Sequence, residues 1–180
     1  MSVNRARRTF LLGGGIALLG SIASPAIAGL GPANVRKLGF QNLHTGERVR
    51  AEYWGEGEYV PEALQTIDRV LRDFRTGDVH PIEPRLLDAL SALHGVLETQ
   101  SDFHVISGYR SPQTNEMLHE RSAGVASKSL HMRGMAVDIR LPDRPLARVR
   151  QAALSLGAGG VGYYPKSNFV HLDIGRVRRW

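Results

Sequence analysis

The sequence has no cysteine in its 180 residues. A disulfide framework, a thiolate metal cage, a cysteine nucleophile and a lipid-anchored cysteine are all excluded by that one absence. Aromatic residues make up only 7 %, and none interleave with a basic run in the way a nucleic-acid surface requires, so nucleic acid is not an expected partner. No apolar run reaches the roughly 20 uninterrupted residues of a transmembrane helix. Repeats and low-complexity tracts are missing as well. The glycine-rich stretch Gly159-Gly160-Val161-Gly162 lacks the Lys-Ser/Thr and the following helix of a phosphate cradle, because Pro165 intervenes.

What is present begins with an address. Arg5, Arg7 and Arg8 precede a glycine-interrupted apolar run from Phe10 to Ile22, and Ala26-Ile27-Ala28 offers small residues where a signal peptidase reads. Residues 1–28 are therefore expected to be an export signal, cut after Ala28 or, less simply, retained as an anchor. Arg7-Arg8-Thr9-Phe10-Leu11 has a twin-arginine character, with ordinary Sec export as the alternative. The expected location is the periplasm or cell envelope, with no stable membrane span after cleavage. The remaining 152 residues suit one domain with a real core. The formal charge of +6 falls to +3 without those three arginines, leaving 20 basic residues against 17 acids. The remaining bases gather late, in Arg140, Arg144, Arg148, Arg150, Lys166, Arg176, Arg178 and Arg179. They read either as attraction to a polyanion or as a solvated helix face and tail.

Patterning predicts an α+β domain, helices packed on a small antiparallel sheet that carries a zinc site. Leu38–Leu43 and Glu47–Trp54 read as strands joined at His44-Thr45-Gly46. Pro61 opens a helix whose apolar stripe runs through Phe74 to a stop at Thr76-Gly77, and Pro84 opens another. His94 lies beside that second stripe, as packing or surface rather than a ligand. A strand over His104–Ser107 precedes a helix from Pro112, and Pro145–Leu156 is amphipathic, ended by Gly157.

Two further strands carry the chemistry. Val137, Ile139 and Leu141 alternate with Asp138 and Arg140; Val170, Leu172 and Ile174 alternate with His171 and Asp173. If these strands pair, Asp138 and His171 emerge on one face and His131, in the approach through Gly134, can fold back over them. Two imidazoles and one carboxylate are three donors that leave a fourth tetrahedral position open, which is the arrangement of a catalytic zinc. The plain alternative is an exposed turn histidine at 131 and a satisfied core histidine at 171.

Ser129-x-His131-x-x-Gly134-x-Ala136-x-Asp138 resembles, at all five defined positions, the zinc motif of the D-Ala-D-Ala peptidase family, in the superfamily that includes lysostaphin-type peptidases and the hedgehog signalling domain. A wider run is similar to the YcbK-like branch of murein endopeptidases, the MepK type. It extends from Leu38-Gly39-Phe40-Gln41-Asn42 through Ser107-Gly108-Tyr109-Arg110-Ser111-Pro112 and Gly160-Val161-Gly162-Tyr163-Tyr164-Pro165 to Trp180. The resemblance implies a zinc-dependent peptidase acting on amide cross-links between peptidoglycan stem peptides. It also implies that Arg110 stands near the scissile bond as a catalytic and substrate-binding group, with Ser129 and Tyr109 contacting substrate. A local role for the Ser129 hydroxyl and a turn role for Arg110 are the simpler readings.

One departure stands out. The carboxypeptidase branch has a glutamate three residues before the last zinc histidine, and here that residue is Asn168, which cannot transfer protons. Asp173 is the substitute expected, as proton carrier or as a residue orienting a ligand. His80 and His104 are the reserves. A D-Ala-D-Ala carboxypeptidase and a non-catalytic zinc-containing cell-wall binding module are the alternatives to an endopeptidase.

Overall fold

A computed structural model describes residues 35–122 and 124–180; the expected export signal lies outside the described residues. Eight strands form one sheet, β1 (Arg36–Asn42), β2 (Arg48–Gly55), β3 (Glu58–Tyr59), β4 (Phe103–Ser107), β5 (Ala136–Arg140), β6 (Gly160–Tyr164), β7 (Phe169–Asp173) and β8 (Arg178–Arg179). Their spatial order is β3-β2-β1-β4-β5-β7-β6-β8. Four helices complete the domain, α1 (Pro61–Val70), α2 (Pro84–Leu97), α3 (Pro112–Arg121) and α4 (Leu146–Leu156). The α+β class is the one expected, but the sheet is larger and mixed. β1 runs parallel to β4 and β6 parallel to β8, while the other pairings are antiparallel.

Local chemistry sets the boundaries. The β1–β2 hairpin turns at Gly46, whose φ of 76° favours glycine, and the Asn42 carboxamide oxygen accepts from the N–H groups of His44 and Thr45. Helix α1 ends at Val70, short of the stripe expected through Phe74. Its last carbonyls are recruited from outside: Val70 O accepts from Asn42 Nδ2 at 2.9 Å and Leu71 O from Tyr109 N at 2.8 Å. Asp73 then turns the chain, with Arg75 N donating to Oδ1 while Oδ2 accepts from the N–H and hydroxyl of Ser111. Ser111 in turn caps α3 by accepting from Thr114 N.

The core lies on the face of the sheet that meets α2 and α4. Leu86, Leu90 and Leu93 of α2 and Val149 of α4 pack with Val137, Ile139, Val170 and Leu172, all buried, while Phe40 and Phe103 extend the cluster through β1 and β4. Period-two alternation therefore sends Asp138 of β5 and His171 and Asp173 of β7 to the other face.

Candidate metal centre

Strands β5 and β7 pair antiparallel in a register that sets Asp138 directly against His171. The pairing required of the sequence is thus the one the backbone makes, and the two side chains share a face by geometry alone. His131 arrives from a single 3-10 turn, Leu130–Arg133, whose N-cap Ser129 accepts from His131 N at 3.3 Å. That turn is ended by Gly134 at φ 63°, and a β-carbon there would sit 2.2 Å from Pro81 O. Only glycine meets both demands, and its position folds His131 back over β5.

The three candidate ligand atoms converge. His131 Nε2 lies 3.2 Å from His171 Nδ1 and 3.3 Å from Asp138 Oδ1, and His171 Nδ1 lies 2.9 Å from the same oxygen. Four donors about 2.0–2.1 Å from a zinc ion stand roughly 3.3–3.4 Å apart in a tetrahedron, close to these edges. Each imidazole is also oriented from behind. His131 Nδ1 is 2.7 Å from Gly108 O, and His171 Nε2 is 3.0 Å from Asp173 Oδ2. Those acceptors place the ring protons on the outward nitrogens and leave the inward lone pairs bare. Donor chemistry, spacing and tautomers all fit a zinc ion held by His131, Asp138 and His171.

The electrostatics divide the two histidines. The three residues are 1 %, 3 % and 9 % exposed. Burial pushes His131 below the ordinary histidine range in spite of Asp138, which favours the neutral form a metal needs. Burial also pulls His171 down, but hydrogen bonds to Asp138 and Asp173 outweigh it and leave the net shift upward. Asp138 is held far below the usual carboxylate range because the His131 and His171 imidazoles, in their protonated form without metal, and the Arg110 charge overcome its burial.

Arg110 has two engagements. Its Nη2 pairs with Asp138 Oδ2, and its Nε donates to Ser107 Oγ at 2.9 Å. A register shift in β4 between Val105 and Ser107 sets Ser107 opposite Asp138, which brings that hydroxyl to the guanidinium. Asp138 therefore spends one oxygen on the metal position and the other on Arg110. Asp173, fully buried, accepts from Gly160 N, Gly175 N, His171 Nε2 and two nitrogens of Arg178.

A cleft of about 340 Å³ opens over this centre. Arg110 and Ser129 line it with the three candidate ligands; Val125 and Lys128 come from the loop after α3, and Tyr164, Phe169 and Trp180 from β6, β7 and the chain beyond β8. That loop is pinned by Asn115, whose Nδ2 donates to Ala126 O and Ser127 O. Tyr109 is not among the lining residues; its ring stacks on His80, with centroids 4.7 Å apart. His80 and His104 are absent from the lining too, and His94 is buried against Phe103. Asn168 sits in the β6–β7 turn at φ 53°, a left-handed position that asparagine tolerates, and does not line the cleft.

Sequence reading gave no site role to Arg178, grouped with the late basic residues, or to Trp180, named only as the end of the family-like run. A signal for them was present in Gly160-x-Gly162. β-Carbons there would come within 2.4 Å of Arg178 Nη1 and 2.7 Å of the Trp180 indole, so two same-face glycines on one strand mark side chains pressed onto it.

Comparison with known proteins gives one consistent result. A family model described as peptidoglycan L,D-endopeptidase MepK matches residues 31–180. Over 175 residues the chain is 46 % identical to the peptidoglycan L,D-endopeptidase MepK of Escherichia coli (strain K12), a match covering 97 % of this chain and 96 % of the relative. The protein of that name from Shigella flexneri is equally similar, 46 % over 175 residues with the same shares covered. A probable peptidoglycan L,D-endopeptidase MepK of Haemophilus influenzae is 39 % identical over 180 residues, covering 99 % of this chain and 97 % of the relative.

Proposed function

The chain belongs to the peptidoglycan L,D-endopeptidase MepK family, and on that premise we propose that it is a zinc-dependent peptidoglycan hydrolase cutting amide cross-links between stem peptides during cell-wall remodelling. The observation that carries this reading is the convergence of His131, Asp138 and His171 at the base of an open cleft. When bound, zinc supplies a Lewis acid for an amide carbonyl and lowers the pKa of a coordinated water toward about 7. No side-chain nucleophile is then needed, which suits a chain without cysteine.

The chain's own residues do the positioning. His131 and His171 present lone pairs because Gly108 O and Asp173 hold their other nitrogens. Asp173 is a positioning residue in this reading: five contacts occupy its two oxygens, and His171 stands between it and the metal position. Arg110 keeps Asp138 in place and has Nη1 uncommitted among the described residues, available to a substrate carboxylate or a developing oxyanion. Ser129 accepts from His131 N and retains its hydroxyl proton for a substrate carbonyl.

A peptidoglycan substrate implies work outside the cytoplasm. Export through the twin-arginine route, with cleavage after Ala28, is supported by Arg7-Arg8-Thr9-Phe10-Leu11 and Ala26-Ile27-Ala28. The deciding experiment is mass spectrometry of purified sacculi digested with the zinc-loaded protein, with and without chelator. Chelator-sensitive conversion of cross-linked muropeptides to monomers is the expected result. Release of a terminal residue alone would instead identify a carboxypeptidase, and binding without turnover a cell-wall binding module.

A further inference from the structure

Trp180 is an exposed indole that the fold holds in one place. Its surface is 47 % accessible, so it forgoes much of the burial a tryptophan brings to a core. Yet its N–H donates to Val161 O at 3.2 Å, its carbonyl accepts from Tyr163 N at 3.0 Å, and Nε1 donates to the Tyr164 hydroxyl at 2.7 Å. The Arg178 guanidinium lies 4.9 Å over the ring, and the ring centroid is 5.2 Å from that of His171. Gly162 forgoes a side chain so that the indole can rest there, since a β-carbon would meet it at 2.7 Å. Exposure, immobilisation and a place beside a candidate metal ligand are the properties of a preformed contact surface.

The lining adds a second chemistry. Tyr164 and Phe169, stacked at 4.5 Å, extend the apolar surface. Of the three cations in the lining, Arg110 is paired with Asp138 and Arg178 with Asp173, whereas Lys128 has no acidic partner among the described residues. We infer that Trp180 and Lys128 form a recognition subsite for the substrate group next to the scissile amide, an aliphatic side chain ending in a free carboxylate. Methylenes lie against the indole face and the carboxylate meets the Lys128 ammonium. The inference rests on the peptidase reading above and specifies which part of the substrate the cleft selects.

The test separates recognition from support of His171. In Trp54→Phe protein the remaining tryptophan is Trp180, and its emission is followed, with chelator present to prevent turnover, as a cross-linked muropeptide is added. A saturating change that tracks binding measured by calorimetry is expected; heat of binding with unaltered emission would overturn the inference. With zinc loaded, Trp180→Ala should raise KM roughly 10- to 50-fold with kcat within a few-fold and full zinc content. A fall in kcat with zinc loss at unchanged KM would instead make Trp180 a prop for His171, and sink the subsite. Lys128→Met should weaken the free-carboxylate muropeptide about tenfold and leave its amidated counterpart unaffected; equal effects on both would remove the carboxylate assignment. Failure of the unaltered protein to cleave any cross-link would overturn the peptidase reading, while the emission arm still judges Trp180.

Discussion

Replacing Asp173 with asparagine separates positioning from proton transfer. The buried carboxylate accepts five hydrogen bonds, and an asparagine keeps one oxygen able to serve the N–H groups of Gly160 and Gly175. Its amide nitrogen, however, would face the His171 Nε2–H and Arg178 Nη2, both donors, at positions now 3.0 and 2.7 Å from Oδ2. Bonds to a charged group contribute about 1.5–3 kcal/mol each, and those from Arg178 count for less because that side chain is 37 % exposed and water replaces them. Metal-free Asp173→Asn protein is therefore expected to lose about 2–3 kcal/mol in chemical denaturation. With His171 no longer held in one tautomer, zinc affinity should fall about 10- to 100-fold in a competitive chelator titration. At saturating zinc, cleavage of cross-linked muropeptide should return to within a few-fold of the unaltered protein. An unchanged zinc affinity with turnover reduced by roughly 10²- to 10⁴-fold would refute the reasoning and make Asp173 the proton carrier.

Alanine at His131, Asp138 or His171 should abolish both zinc retention and cleavage, whereas His94→Ala should keep both and lose only stability; full zinc occupancy in His171→Ala protein would dismantle the site. Asn168→Glu should bring no gain in turnover, because that position is a left-handed turn outside the cleft, and it should cost about 1–2 kcal/mol in thermal denaturation. Zinc affinity should fall with acidity. The upward shift of His171 makes its proton the competitor from above the ordinary 6.5 or so, at about tenfold per pH unit for one displaced proton, and a flat chelator titration between about pH 6 and 8 would contradict it. Lysines at Arg7 and Arg8 together should block export and leave a folded precursor inside the cell; undiminished export would indicate the Sec route.

The convergence of the candidate ligands was legible because it is written in two short alternating strands. Val137 and Ile139 against Asp138, and Val170 and Leu172 against His171, force the two polar side chains onto one face once β5 and β7 pair. The second tier was harder to read, because it depends on contacts made far along the chain. The stripe of α1 continues in sequence to Phe74, yet the helix stops where Asn42 and Tyr109 take its last carbonyls. The parallel pairing of β1 with β4 follows a crossover that includes α1 and α2, which strand patterns alone do not announce. Tyr109, read from its motif as a substrate contact, stacks on His80 beside the cleft lining, while Trp180 reaches the cleft because the two-residue strand β8 returns the chain to β6.

The three candidate ligands are spread along the chain, with His131 and Asp138 lying 40 and 33 positions before His171. An ion shared among them acts as a removable staple between the turn, β5 and β7, in a protein that has no covalent one. At a free concentration a hundred times its Kd, such an ion adds about 2.7 kcal/mol to the folded state. Where proteases sample every transient opening, that increment lengthens the lifetime of the chain about a hundredfold if opening is fast relative to cleavage. If the proposed ion is zinc, its starvation would then remove this hydrolase by degradation as well as by inactivation, and the protein's abundance would report the supply of that metal.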